Sequence, residues 1–334
     1  MISSETHHRA SSIGPAASLA LLTEGAALRV HSVFPSTVNL EVEGTAWLVA
    51  LSGPAVAIHP HAVTLEQSMD FRTWGLSVGD PATLLDGSLR LQGQVGIVIV
   101  DLSQAQRPTP RLLPLIVRLG GAHGACVTRL AEVQHEACCD LRIDALGHAE
   151  WALTALGVGL RSAALALGTA AQAFARTPRH AFATEGALAM LKQSVAALVG
   201  LGAGLTPSGD DFLCGFLAAV HASDPGLMKD REELIKALND AVEMNLQRTT
   251  QISAGLIRCA ARNFWSLPLV DLAEALAGDR EPEALRALDE LCSLGHSSGS
   301  DIATGFLFGL ECLAPEPWRA LSNLGECGGV ISRN

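Results

Sequence analysis

The sequence lacks the features that mark several large classes of proteins. Its 334 residues carry a formal net charge of −11 and no Lys/Arg-rich stripe, so neither nucleic acid nor an anionic membrane surface is the expected partner. No lysine follows a glycine, which excludes the Gly-Lys-Ser/Thr phosphate loop. No apolar run reaches the ~18 residues that a membrane span needs, and the first residues contain no apolar signal-peptide core. We therefore expect a cytoplasmic protein that does not enter a membrane.

Cysteine pairing is also scarce, because the eight cysteines include no Cys-x-x-Cys pair. Several of them lie among apolar neighbours in a large chain, which favours buried free thiols over disulfides or zinc ligands. With 49% hydrophobic residues, the chain can build a substantial core, and its length suits two domains.

The two parts of the chain have different patterns. Up to residue 110, short alternating runs separated by Gly and Pro predict a mainly antiparallel β-sheet or barrel, after a short helix at 15–27. The predicted strands are 28–34, 37–42, 45–51, 55–59, 88–92 and 96–100. Beyond residue 111, apolar residues recur every three or four positions, which predicts an all-helical domain. Its predicted helices are 111–120, 122–137, 148–175, 180–199, 207–222, 229–247, 249–263, 268–278, 281–294 and 298–313. The expected fold class is thus α+β, with a β-rich domain at 13–110 and a helical domain at 111–334.

One segment concentrates residues with special backbone or polar roles. It reads Gly-Leu-Gly-Ala-Gly-Leu-Thr-Pro-Ser-Gly-Asp-Asp from residue 200 to 211 and lies between two predicted helices. Gly202 and Gly204 allow positive φ and close approach of a ligand, and Pro207 suits the first position of the next helix. Free N–H groups at such a helix start favour a bound anion.

The motif recurs at a constant offset of 90 residues. Ser208, Gly209, Asp211, Gly215, Phe216 and Leu217 are matched by Ser298, Gly299, Asp301, Gly305, Phe306 and Leu307. If the two helix starts pack side by side, Asp210, Asp211 and Asp301 converge, with Thr206 and His296 at the rim. Two neighbouring carboxylates in an apolar domain are costly unless they are paired, hydrogen-bonded or metal-bound. The recurrence therefore predicts a site.

A purely structural interpretation is also open. Ser208-x-x-Asp211 and Ser298-x-x-Asp301 have the capping-box form, in which hydroxyl and carboxylate satisfy the first N–H groups of a helix. Capping does not, however, explain Gly202, Gly204 and the adjacent Asp210.

Other patterns carry weaker signals. Arg248, Thr249 and Thr250 form a polar segment between helices, suited to an oxyanion or, alternatively, to helix capping. Ser297 lies in a Gly-x-Ser-x-Gly string, but a helix rather than a strand precedes it, so a nucleophile elbow is not expected. His59-Pro-His61 fits a turn at a strand end better than a metal site.

The 202–215 string, together with Ser298-Gly-Ser-Asp301, resembles the bacterial family of the AllH subunit of oxamate carbamoyltransferase, long catalogued as of unknown function. The resemblance implies a multi-subunit transferase of allantoin (purine) degradation that interconverts oxalurate and phosphate with oxamate and carbamoyl phosphate. The Ser-Thr-Arg-Thr phosphate loop of the aspartate and ornithine carbamoyltransferases is absent, so any handling of carbamoyl phosphate requires a different fold.

These lines give a working hypothesis for residues 202–211. The loop Gly202, Gly204, Thr206, Pro207, Ser208 and Gly209 is expected to bind a small anion with Arg248, Thr249, Thr250, His296, Ser298, Gly299 and Asp301. Asp210 and Asp211 are the expected catalytic groups, acting on an amide-type nucleophile or holding a divalent cation such as Mg²⁺ with Asp301. On this hypothesis, Asp210→Asn abolishes turnover and leaves the fold intact. Two alternatives remain: a non-catalytic subunit that docks a partner, and a metal-dependent hydrolase using the same aspartates.

Overall fold

The computed structural model describes residues 4–22, 26–54, 59–115, 119–137, 158–176, 181–224 and 230–314. Contacts divide the chain into two compact units. The first comprises Met1–Arg111 with Phe264–Leu267, and the second comprises Leu112–Asn263 with Pro268–Asn334.

The first unit is a closed barrel of eight strands, which confirms the expected β-rich architecture. Around the barrel the order is β1-β5-β4-β3-β2-β6-β7-β8. The strands are β1 Ser4–Ile13, β2 Ala27–Val33, β3 Thr37–Val42, β4 Leu48–Ser52, β5 Ala62–Leu65, β6 Pro81–Leu85, β7 Ser88–Gly93 and β8 Gly96–Asp101. Neighbouring strands are antiparallel except in the β1/β8 and β4/β5 pairs, which are parallel.

Alternating apolar residues of these strands fill the barrel. Leu40, Leu51 and Leu89 are fully buried, and Phe71 and Trp74 of a 3₁₀ helix, Phe71–Trp74, add their rings to the same core. The alternation that predicted the strands is therefore the pattern that separates core from surface.

Three strands were not predicted, and one helix is shorter than expected. The polar sequence of β1 carries little strand signal, and β6 begins at Pro81, a residue type that was expected to separate strands. The third unpredicted strand is β5. The predicted strand at 55–59 lies almost entirely outside the described residues. The first helix, α1, covers Pro15–Ala20 rather than 15–27, because Ala27 already pairs within β2.

The second unit is helical, as predicted. Its helices are α2 Gly121–Ala137, α3 Val158–Arg176, α4 Ala181–Leu198, α5 Ser208–Ala222, α6 Arg231–Glu243, α7 Gln251–Ala261, α8 Leu267–Ala277, α9 Glu281–Cys292 and α10 Ser298–Leu313. The predicted helix at 111–120 is wrong for its described residues, which are not helical. Pro114 gives the reason, because proline removes an N–H group and disfavours helical geometry in the preceding residue. Residues 148–157 lie outside the described part.

Helices α5 and α10 cross closely at a reciprocal pair of glycines. A Cβ atom on Gly215 would lie 2.0 Å from the carbonyl oxygen of Ile302, and one on Gly305 would lie 2.0 Å from that of Phe212. Because Phe212 and Ile302 are themselves 90 positions apart, the contact repeats with the sequence repeat. The predicted pseudo-repeat is thus a packed helix pair with equivalent contacts on both sides.

The cysteines and the membrane-span expectation can be compared with the described residues. Cys126, Cys214, Cys259 and Cys312 are buried free thiols, and Cys292 is half-buried. None of the helices that the structure describes is both long enough and apolar enough to cross a membrane.

Candidate functional site

The segment Gly200–Pro207, here called the glycine loop, joins α4 to α5 and depends on positive φ angles. Gly202 has φ 124° and Gly204 has φ 93°, as the sequence predicted. A Cβ atom on Gly202 would also lie 2.8 Å from the backbone nitrogen of Ser208, so the loop folds tightly onto the helix start. Gly204 has open space around it and is exposed. The loop thus presents backbone rather than side chains to solvent.

Helix α5 begins one residue later than expected. Ser208 is its first residue, and Pro207 occupies the N-cap position rather than the first helical position. Neither Pro207 nor Ser297, the N-cap of α10, makes a side-chain capping hydrogen bond. Both oxygens of Asp211 are buried and receive no hydrogen bond of good geometry. The capping-box interpretation is therefore wrong for the start of α5.

Three N–H groups in the first turn of α5 are already used. Gly209 donates to the carbonyl of Leu201 at 2.8 Å, and Asp210 and Asp211 donate to that of Pro207 at 2.9 and 3.2 Å. Among the described residues, the backbone N–H groups of 202–206 donate to no backbone carbonyl. Main-chain donors for an anion are thus found in the exposed loop rather than at the helix start.

Asp210 is committed to holding the loop in place. Its side chain is buried, and Oδ1 accepts the backbone N–H of Gly200 at 2.8 Å. Oδ2 accepts the hydroxyl of Ser253 at 2.7 Å and that of Thr249. Three donors on two oxygens stabilise a buried carboxylate. This geometry favours a positioning role for Asp210, and we no longer expect Asp210→Asn to leave the fold intact.

The polar segment at 248–250 packs against the glycine loop, but its side chains serve the fold. Arg248 donates to the carbonyl of Ala196 near the end of α4 and, at 3.3 Å, to Asn245. Thr250 caps α7 by accepting the N–H of Ser253 at 3.1 Å, and it donates to the carbonyl of Leu205. Nothing in the sequence pattern predicted the hydrogen bond from Ser253 to Asp210.

Asp211 lies on the other side of the helix start, in an environment that disfavours its charge. It is 1% exposed. Burial raises its pKa to about 8, with Asp301 and Asp210 adding repulsion, and the hydroxyls of Ser298 and Thr206 act in the opposite direction. Those hydroxyls lie near the carboxyl group without a well-aligned hydrogen bond to it. A carboxyl group in this state is mostly protonated at neutral pH.

Asp301 is the counterpart of Asp211 on α10. Burial raises its pKa to about 6, opposed by the hydroxyls of Ser208 and Ser297. The contacts are therefore reciprocal: the serine that begins each helix lies near the aspartate of the other. We call Asp211 and Asp301 the acid pair.

Thr206 and Ser298 connect the acid pair to the loop. Their hydroxyl oxygens are 2.8 Å apart, and both residues are half-buried. We call them the hydroxyl pair. It lies between a buried acid that titrates in the neutral range and an exposed loop, which is an arrangement suited to moving a proton.

The remaining predicted residues are placed as follows. Gly209 and Gly299 let the helix starts pack on the carbonyl groups of Leu198 and Leu291, since a Cβ atom would lie 2.2 and 1.8 Å from those oxygens. His296 is exposed in the turn before α10, and no hydrogen bond or ion pair joins it to the acid pair. No group of three or more His, Cys, Asp or Glu residues suited to a metal ion is found in the described part of the chain.

Two family models match this chain. A model described as oxamate carbamoyltransferase subunit AllH matches residues 198–310, which include the glycine loop, the acid pair and α10 almost to its end. A second model, the AllH family N-terminal domain, matches residues 9–107 of the barrel unit. The chain belongs to the AllH family. No solved structure matches the chain.

Proposed function

We propose that this AllH-family chain is a subunit of an enzyme that transfers a carbamoyl group, and that the glycine loop and the acid pair form part of its substrate site. The family description supports a carbamoyltransferase-related subunit acting with other subunits. The proposed substrates are oxamate and carbamoyl phosphate in one direction, and oxalurate and phosphate in the other. The observation that carries the proposal is the buried Asp211 carboxyl group, with a pKa of about 8, beside the hydroxyl pair.

The reaction needs a group that gives and takes a proton at neutral pH. When a carbamoyl group moves from phosphate to the amide nitrogen of oxamate, a C–O bond breaks and a C–N bond forms. The nitrogen loses one proton, and the released phosphate gains one. In the reverse direction a protonated Asp211 supplies the proton to the departing amide nitrogen through Ser298 or Thr206, and ionised Asp211 takes it back in the forward direction.

A protonated Asp211 also fits an anionic substrate at this site. Two ionised carboxylates would repel such a substrate unless a cation lay between them. The N–H groups of 202–206 offer donors to a phosphate or carboxylate, and a neutral carboxyl group nearby adds no repulsion. A cation held by Asp210 is not part of the proposal, because three protein donors already occupy that carboxylate.

The test is carbamoyl transfer by the chain assembled with the other subunits. We expect Asp211→Asn to lower kcat by ~100-fold or more, the usual scale for a proton-transfer group. Ser298→Ala is expected to lower kcat more than it raises KM. Ser293→Ala is the matched control, because this serine is exposed and its hydroxyl group donates to the local carbonyl of Glu290 at 2.6 Å. Full activity of Asp211→Asn in a folded, assembled enzyme contradicts the proposal.

Partner docking is the second candidate, and Leu205 favours it. This side chain is 46% exposed at the tip of the glycine loop. If the loop docks a partner, Leu205→Ser prevents assembly, while Asp211→Asn assembles and stays active. Sedimentation of the mixed subunits together with the transfer assay separates the two functions.

A further inference from the structure

The barrel unit contains a cleft of about 410 Å³ beside β1, whose lining includes His8, Arg9, Leu65, Glu66, Met69 and Asp101. It forms where β1 changes partners: Ser4–Arg9 pair with β8, whereas Ala10–Ile13 pair with the short strand β5. Its volume lies within the range of ~300–1,000 Å³ usual for small-molecule sites. This β1 cleft is independent of the function proposed for the glycine loop.

Two oppositely charged side chains line the cleft without pairing with each other. In the part of the chain that the structure describes, neither the Arg9 guanidinium nor the Glu66 carboxylate makes a hydrogen bond or ion pair. They do not pair with each other, although the backbone N–H of Glu66 donates to the carbonyl of Arg9 at 3.0 Å. The strand contact therefore holds the two charged groups in one cleft without neutralising either.

A second carboxylate lies on the other side of Arg9. Asp101 is the β8 residue in register with Arg9, and its Oδ1 accepts the backbone N–H of Ser103 at 2.9 Å. This bond, more than the nearby Arg9, holds the pKa of Asp101 below its usual value, so the group is ionised. No ion pair forms between Arg9 and Asp101.

Met69 supplies the apolar part of the cleft lining and packs against the barrel core, whereas the Leu65 side chain is fully buried within that core. The His8 ring stacks on Trp74 with centroids 5.0 Å apart, and its Nε2 is buried without a hydrogen-bond partner. The cleft thus combines a cation and two anions with one half-buried apolar side chain.

We propose that the β1 cleft binds a small zwitterion of the α-amino acid type with an apolar side chain. The carboxylate binds Arg9, the ammonium group binds one of the two flanking carboxylates, Glu66 as the unpaired one, and the side chain contacts Met69. A ligand with only negative charge meets the two carboxylates, and one with only positive charge meets the guanidinium. Opposite charges on neighbouring atoms of the ligand match opposite charges held apart in the cleft.

Calorimetric titration of the full chain tests this assignment with L-leucine, L-methionine and L-phenylalanine as probes. Leucinamide keeps only the ammonium group, and 4-methylpentanoate keeps only the carboxylate. At least one amino acid is expected to bind, and the matching single-charge analogues are expected to bind at least ~10-fold more weakly. Arg9→Met and Glu66→Gln are expected to weaken amino-acid binding by a similar factor.

Arg90→Met is the control, because Arg90 is an exposed barrel arginine outside the cleft lining. Arg9 and Glu66 are exposed, so their substitution leaves the barrel folded, which circular dichroism checks. Three results overturn the proposal: no binding of any of the three amino acids to the folded protein, equal binding of leucinamide, or binding unchanged in both cleft variants.

Discussion

Asp211→Asn removes a buried group whose ionisation opposes folding, and its effect on stability depends on pH. Folding raises the pKa of Asp211 from 3.8 to about 8, mainly through burial. Asparagine keeps the size of the side chain but cannot ionise. The variant therefore separates the charge of Asp211 from its packing.

The sign and the size of the effect follow from linkage. With a raised folded-state pKa, the Asp211 contribution to stability is fully present below pH 3.8 and is lost as pH rises through about 8. Each pH unit in that interval is worth roughly 1.4 kcal/mol. Between about pH 5 and pH 7.5, the free energy of unfolding of Asp211→Asn should rise relative to wild type by about 3 kcal/mol.

Urea unfolding followed by the helical circular dichroism signal measures this difference, because the large helices belong to the second unit. Asp240→Asn is the matched control on an exposed aspartate of α6, where solvent screens the charge. Wild type and Asp211→Asn that lose stability in parallel from pH 5 to 7.5 would refute the assignment of a buried, protonated carboxyl group.

Three further predictions concern helix α5 and its contacts. Asp210→Asn should destabilise the helical unit by ~3 kcal/mol at neutral pH, because the amide turns a donor toward the hydroxyls of Thr249 and Ser253. A loss below ~0.5 kcal/mol in urea unfolding would show those bonds to be dispensable. Gly215→Ala should lower the free energy of unfolding by several kcal/mol or prevent folding, because its Cβ atom clashes with Ile302. Gly186→Ala in α4 has open space around it and should leave stability unchanged or raise it by up to ~1 kcal/mol. Equal thermal stability of the two variants would contradict the close crossing. The rate of oxalurate phosphorolysis should fall as pH rises through about 8, because Asp211 then loses the proton that it supplies. The residual rate of Asp211→Asn should not show this fall. An unchanged pH profile in the variant would assign the titration to another group.

The sequence predicts the fold where a pattern is long or periodic. The helices of the second unit and most barrel strands follow from spacing, and the 90-residue repeat anticipated the crossing of α5 and α10. The sequence pattern did not predict that β1 belongs to the barrel, because β1 is polar and pairs with two different strands. Such pairing is a property of the closed sheet rather than of local residues.

The two adjacent aspartates show a different limit. Asp210 and Asp211 are neighbours in sequence, and nothing in the residue pattern distinguishes the role of one from that of the other. Helix geometry turns them to different sides, so Asp210 receives three hydrogen bonds and Asp211 receives none of good geometry. Their opposite environments depend on Ser253 and Ser298, which approach from other helices.

The central claim, that Asp211 is a proton-exchanging group in a substrate site, is tested most directly by the ¹³C NMR titration of its carboxyl carbon. Aspartate-labelled wild type and Asp211→Asn would be compared with and without carbamoyl phosphate. The account predicts one carboxyl resonance that titrates near pH 8, is absent from Asp211→Asn and shifts its midpoint when carbamoyl phosphate is added. An Asp211 resonance that titrates in the ordinary carboxyl range, near ~4, or that carbamoyl phosphate leaves unmoved, would contradict it.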